Sequence, residues 1–210
     1  GHSALHESLG KSLSSLLDTE ESLIFPSGYA ANTSTIACLT GPHDLIVSDA
    51  HNHASIIDGC RLSGANVQIY PHRDVTVAAS LLRSIPARRR LIVTDSLFSM
   101  DGTIAPLADM VQLAHDTKSM LLVDEAHATG LFGTHGSGLI EDAGIASSVA
   151  VRVGTLSKAL GGSGGFVSGH RTLIDYLRHR ARSWMFSTAH PPASAAAAIQ
   201  AIKLLSEEPF

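Results

Sequence analysis

The sequence predicts an α/β fold, a mostly parallel sheet with helices on both faces, and three observations carry that expectation. Short apolar runs alternate with helical patterns through most of the 210 residues. Most of these runs are apolar throughout, as strands buried on both faces require. Two of them end in side chains able to do chemistry: Asp124 and His127 follow one, and Lys158 follows the next. Ligands of open α/β sheets bind beside such carboxyl strand ends.

The elements follow in order. His2 to Leu17 carries leucines at 5, 9, 13, 16 and 17, one helical stripe, and Ser22 to Phe25 is a short extended entry closed by Pro26. Ser27-Gly28-Tyr29-Ala30-Ala31-Asn32 reads as a turn opening the next helix. Strands are expected at Leu45–Ser48, Val67–Tyr70, Leu91–Thr94, Met120–Val123, Val149–Val153 and Gly165–Ser168. Helices are expected near 54–63, 75–84, 106–117 and 171–183. Ala193 to Leu205 is alanine-rich, with Pro191-Pro192 where proline is tolerated at a helix start. No internal repeat or low-complexity linker appears.

Composition narrows the function classes. The length suits one sizeable domain. A net charge of -4 and a charged fraction of 16%, with Arg88-Arg89-Arg90 the one compact basic cluster, argue against nucleic acid as a partner. Two cysteines, Cys38 and Cys60, are too few for a disulfide scaffold or a four-thiolate metal site and fit a reducing cytoplasm. There is no opening signal peptide and no apolar window of roughly 18 residues, so no membrane span is expected. His51-x-His53 lacks further ligands at zinc-like spacing, so no metal is expected either.

A lysine among small and hydroxyl residues can form a Schiff base with an aldehyde cofactor, and an aspartate at a neighbouring strand end can pair with a protonated pyridine nitrogen. That combination points to pyridoxal 5'-phosphate (PLP). Asp124-Glu125-Ala126-His127 could also be a helicase box, but the required phosphate loop is missing: Gly10-Lys11-Ser12 has Leu5 where the first glycine belongs. Taken singly, Asp124 is an ordinary helix cap and Lys158 a solvated surface lysine; their pairing after two apolar runs argues for a site. The backbone N–H groups of Gly28 and Tyr29, at a helix start, can face the cofactor phosphate. His127 can donate to the phenolic oxygen, and Lys158 can move the substrate proton once its pKa is lowered.

Five ordered motifs then resemble a known family: Ser27 to Asn32, Asn52-His53-Ala54-Ser55-Ile56, Phe98-Ser99-Met100-Asp101-Gly102, Asp124 to Gly130, and Gly154-Thr155-Leu156-Ser157-Lys158-Ala159-Leu160-Gly161-Gly162. They look like those of the α-oxoamine synthases, PLP enzymes of the aspartate-aminotransferase fold (fold type I). The resemblance implies roles. Gly28 and Tyr29 match a phosphate-contacting backbone pair, and Thr155 matches a further phosphate ligand. His53 matches a ring-stacking histidine. Ser99, Asp124 and His127 match contacts to the phenolic oxygen and pyridine ring, and Lys158 matches the Schiff-base lysine. Ser187-Thr188 resembles a segment that reaches the neighbouring subunit's phosphate, which implies a homodimer with composite sites. Seen alone, His53 would read as a structural histidine, Ser99 as part of a turn with Asp101-Gly102, and Gly161 to Gly165 as a flexible hairpin beside the lysine.

Members of this family condense an amino acid with an acyl-CoA or acyl-carrier-protein thioester and release carbon dioxide. Ser27 to Asn32, Pro71 to Asp74 and Val93 to Ser96 look most like the members that join L-alanine to a pimeloyl thioester in biotin synthesis, while Asn52 to Gly59 and Lys158 to Gly162 also suit those that join glycine to acetyl-CoA. The expectation for residues 1–210 is the large, PLP-binding domain of such an enzyme, a fragment without the N-terminal segment and the C-terminal small domain.

Overall fold

The computed structural model describes residues 2–207. Seven strands form one sheet: β1 (Glu21–Phe25), β2 (Leu45–Asp49), β3 (Asn66–Tyr70), β4 (Arg90–Asp95), β5 (Met120–Asp124), β6 (Val151–Thr155) and β7 (Gly165–Gly169). Their order is β1-β7-β6-β5-β4-β2-β3. Only β7 runs against its neighbours, pairing antiparallel with β1 and β6. The helices are α1 (Ala4–Leu17), α2 (Gly28–Leu39), α3 (Ala54–Ser63), α4 (Val75–Ser84), α5 (Leu107–Thr117), α6 (Leu139–Asp142), α7 (Arg171–Arg180), α8 (Arg182–Met185) and α9 (Pro192–Glu207).

Alternation along each strand sorts side chains between two layers. Ile46, Leu91, Val93, Leu122, Val151 and Val153 pack with Ile36 of α2, Ile56 of α3 and Leu177 of α7 on one face. Leu45, Val47, Ile92, Leu121 and Val123 pack with Leu82 of α4 and Met110 and Leu113 of α5 on the other. At the β1 and β7 end the leucine stripe of α1 (Leu9, Leu13, Leu17) meets Ala195, Ala198 and Ile202 of α9 over Ile24 and Phe166. The α/β architecture expected from the apolar runs is therefore present, with helices on both faces.

Some details differ from the sequence reading. β6 starts two residues later than expected, because Val149 packs into the core as part of the approach, after a 3-10 turn at Ala146–Ser148. Hydrophobicity alone cannot separate a buried approach from a strand. The helix expected over 171–183 breaks at buried Ala181, which adopts extended backbone. After the break, Ser183 Oγ donates to the carbonyl of Ala30 at 2.8 Å and ties α8 to α2. β3 is a sheet edge, and Ile69 on it is 66% exposed. The basic run is spent internally: Arg88 and Arg89 both pair with buried Asp44, and Arg90 donates to the carbonyls of Leu82 and Ile85. Among the described residues no helix is long and apolar enough to cross a membrane.

The chain leaves β2 towards β3 on one side and β4 towards β5 on the other. This reversal opens a crevice at the carboxyl ends of the central strands.

Candidate active site

Four strand ends build the site. Asp124 closes β5, and Asp95 closes β4 directly opposite it in parallel register. β2 leads into His53, and β6 leads through Thr155 to Lys158.

Asp124 is buried, with Oδ1 accepting from the Ala126 N–H at 2.8 Å and Oδ2 from Asn32 Nδ2 at 2.6 Å. Asp95, also buried, accepts the His53 N–H at 2.8 Å. Burial and then repulsion from Asp124 push the Asp95 carboxyl up to about 8. The loop after β2 is locked from two sides. Asn52 takes the Asp95 N–H at 2.9 Å and gives one hydrogen bond to the Val93 carbonyl, while Asp95 takes the N–H of His53.

Lys158 Nζ lies 2.7 Å from His127 Nε2. Lys158 is exposed overall, yet its surroundings desolvate the ammonium enough to lower its pKa, an effect partly offset by Asp124 and Asp95. The His127 pKa is lowered as well, first by burial and then by the Lys158 charge. Gly130 lets the two loops meet. It has φ +85°, and a Cβ there would stand 2.7 Å from that of Ala159, the residue after Lys158. The loop between β6 and β7 is a hairpin as expected, but it is held rather than free. Leu156 exchanges backbone bonds with Gly164 and Gly162, and Thr155 Oγ1 donates to the Gly164 carbonyl at 2.9 Å.

The amino end of α2 abuts these strand ends. Ser27 caps it, accepting from the Ala30 N–H at 3.0 Å, so the first N–H groups, those of Gly28 and Tyr29, have no intrahelical acceptor. A Cβ on Gly28 would sit 3.2 Å from Thr155 Cβ, and one on Gly165 would sit 2.4 Å from the Gly28 nitrogen. Two backbone donors at the helix start are thus available to an anion, and the Thr155 hydroxyl beside them has its hydrogen on the Gly164 carbonyl. The Tyr29 side chain points elsewhere, its hydroxyl donating to Asp58.

The structure thus brings together Gly28, Tyr29, His53, Asp124, His127, Thr155 and Lys158. His53 is the N-cap of α3 rather than part of its first turn, with the ring Nδ1 turned back towards Ser55. Ser99 lies exposed in the turn closed by the Gly102 N–H on the Phe98 carbonyl and hydrogen-bonds none of these side chains. Ser187 and Thr188 are exposed after α8. The Ser187 hydroxyl donates to the Ser183 carbonyl, and neither side chain joins the cluster within this chain.

Sequence reasoning missed Asn32, Ser55 and Asp95. Asp95 satisfies the criterion that exposed Asp124, a carboxylate closing an apolar run, and could have been found by it. Asn32 and Ser55 stand inside two of the motifs, but they are separated by 23 residues and nothing local showed that they meet. His51, which the sequence offered only as half of a His-x-His pair, stacks on His72 at 4.1 Å with planes 8° apart and bonds Asp101 at 2.7 Å. With Asp101 these rings form a compact group in which both His72 nitrogens are already engaged, with Asp49 Oδ1 at 2.9 Å and Thr103 Oγ1 at 2.8 Å.

Comparison with known proteins places this geometry. The family model for aminotransferase class I and II matches residues 1–208. 8-amino-7-oxononanoate synthase 1 of Bacillus subtilis (strain 168) is 46% identical over 210 residues, covering 100% of this chain and 54% of that protein. Sphingomonas wittichii serine palmitoyltransferase superposes with a TM-score of 0.95 at 38% identity, over 98% of this chain and 52% of that one. A serine palmitoyltransferase from S. paucimobilis with bound PLP also superposes at 0.95, with 34% identity over 98% of this chain and 52% of that one. The chain spans about half the length of the curated relatives it matches. It belongs to the aminotransferase class I and II family, in the company of the α-oxoamine synthases.

Proposed function

We propose that the chain is the large, PLP-binding domain of an α-oxoamine synthase that condenses L-alanine with a pimeloyl thioester of CoA or acyl-carrier protein and releases carbon dioxide. The observation that carries this reading is the Lys158 amine, 2.7 Å from His127 and influenced by buried Asp124 and Asp95. The 46% identity to the B. subtilis synthase supports the choice of substrates.

The residues present fit PLP. Glycine at 28 and 165 lets the start of α2 pack directly on the ends of β6 and β7, so its free N–H groups lie beside the amine, imidazole and carboxylate that supply the remaining handles. When bound, PLP supplies a ring that accepts the electrons left on the α-carbon. Gly28, Tyr29 and Thr155 would hold its phosphate, and Asp124 would keep its ring nitrogen protonated. His53 would cover the ring face. His127 and Ser99 would stand at the phenolic oxygen, where His127 Nε2 is free to bond once the Lys158 nitrogen turns to the aldehyde.

Lys158 then has two tasks, to hold the cofactor and to carry the substrate α-proton. A lowered pKa serves both, since only the neutral amine attacks a carbonyl or takes a proton. Exposed Ser187 and Thr188 would reach the phosphate site of a second copy, making a homodimer with composite sites. The rest of a relative's length would include the small domain and its arginine for the substrate carboxylate. The two unpaired thiols suit a reducing cytoplasm.

The test is to mix the chain with PLP, reduce with borohydride and map the modified peptide. Label on Lys158 is expected, and a folded chain labelled elsewhere or not at all overturns the cofactor reading. Turnover of alanine, glycine and serine with pimeloyl, acetyl and palmitoyl thioesters then decides the substrate pair. The serine-using reading is favoured by the 0.95 superposition, and the glycine-using one by the His53 motif.

A further inference from the structure

Asn32 sits 1% exposed on α2, and its amide nitrogen reaches two partners: Asp124 Oδ2 at 2.6 Å and Ser55 Oγ at 2.9 Å. Ser55 Oγ in turn lies 2.7 Å from His53 Nδ1. The direction of this chain follows from its ends. A carboxylate only accepts, so the amide nitrogen and not the oxygen must face Asp124. One of its hydrogens serves Asp124 and the other Ser55. The Ser55 oxygen, already accepting, sends its own hydrogen to His53 Nδ1, and the Ser55 N–H points at the same nitrogen from 3.2 Å. Nδ1 is therefore an acceptor, and the proton of a neutral His53 must sit on Nε2. Asn32 Oδ1 is left buried with no partner, a cost that a residue kept only for packing would not carry.

We propose that Asn32 is a positioning residue: as a double donor it fixes the Asp124 carboxylate and, through Ser55, holds His53 in the Nε2–H tautomer. In this arrangement the carboxylate meant for the ring nitrogen and the imidazole meant for the ring face share one frame. The imidazole turns a hydrogen-bond donor outward, where a carboxylate or thioester carbonyl oxygen of the substrates can accept it. The role of the frame in binding PLP rests on the reading above; the tautomer does not.

Two variants separate this from packing. Asn32→Asp keeps the volume, shares one proton with Asp124 in place of the amide donor, and offers an acceptor to the Ser55 hydroxyl, which then turns away from His53. Ser55→Ala cuts the chain one step later and leaves the Asn32 contact to Asp124. The ring nitrogens of His53 are observed by 15N NMR in the chain without cofactor, and PLP affinity is then titrated. The parent is expected to show the Nε2–H tautomer, and both variants a mixture of the two. For Asn32→Asp the PLP dissociation constant should rise about tenfold, the cost of losing a hydrogen bond to a charged group. An Nδ1–H tautomer in the parent, or His53 signals unchanged in both variants, overturns the proposal. If Asn32→Asp alone fails to fold, the Ser55→Ala spectrum decides. A parent that shows the tautomer but takes no PLP onto Lys158 overturns the cofactor reading and the frame's part in binding while leaving the tautomer assignment standing.

Discussion

Lys158 Nζ and His127 Nε2 lie 2.7 Å apart although they arrive on different strands, 31 residues from one another. A protonated amine donates to Nε2, and a neutral one can instead accept from an Nε2–H, so the direction of this bond follows the protonation of the pair. Both pKa values are lowered, which keeps the pair from holding two positive charges side by side.

Removing the amine removes the chemistry. Lys158→Ala is expected to lose borohydride-fixed PLP entirely and to lower turnover of the full-length enzyme by at least about a hundredfold, the usual worth of a positioned base. Peptide mapping and a steady-state assay check both parts.

Asp124→Asn retains the size of the side chain and an acceptor for the Ala126 N–H, but it turns an amide nitrogen on the donor Asn32 Nδ2, so Asn32 must flip its amide and the melting temperature should fall. On the proposed role of Asp124 the charge that would face the ring nitrogen is lost, so turnover should fall while Lys158 still takes the label. Unchanged turnover would remove Asp124 from the mechanism.

Stability of the cofactor-free chain should fall as pH rises from 3.8 to about 8. Folded Asp95 keeps a proton that the unfolded chain has already released, so its contribution is full below the unfolded pKa and is lost as pH passes through the folded one. Glu125, pushed up to about 7 by burial, adds in the same direction. Asp95→Asn, which still accepts the His53 N–H, should flatten the plot of melting temperature against pH, and Glu125→Gln should flatten it further. A slope unchanged in the double variant would reject the assignment.

Gly130→Ala places a methyl group 2.7 Å from Ala159 Cβ on backbone with φ +85°. The strain should lower stability by about 1–3 kcal/mol and move His127 away from Lys158. Denaturant melts read the first effect, and slower PLP capture on Lys158 reads the second.

Beneath the site, buried Arg152 donates to the Leu17 carbonyl at 2.6 Å and lies in the field of Glu125. Arg152→Leu should cost about 1–3 kcal/mol, because it leaves the Leu17 carbonyl without its donor and removes a charge that favours ionised Glu125, and adding Glu125→Gln should recover the second part. Melts of the single and double variants measure the recovery.

Residue order alone carried the layers, because unbroken apolar runs such as Leu121 to Val123, alternating with helical patterns, suit strands covered on both sides, and the five-leucine stripe before them suits one helix face. It also marked Asp124, His127 and Lys158, which follow such runs directly. It could not decide where β6 begins, since Val149 is as apolar as Val151, nor that α7 stops at Ala181, which is helix-favouring in isolation but is buried where the chain must turn. Above all it could not show that Asn32, Ser55 and His53 form one chain of hydrogen bonds onto Asp124. Those residues are brought together by the packing of α2 against α3 and by the parallel register of β4 and β5. Hydrogen bonds between side chains form at about 3 Å, and only the folded backbone sets distances on that scale.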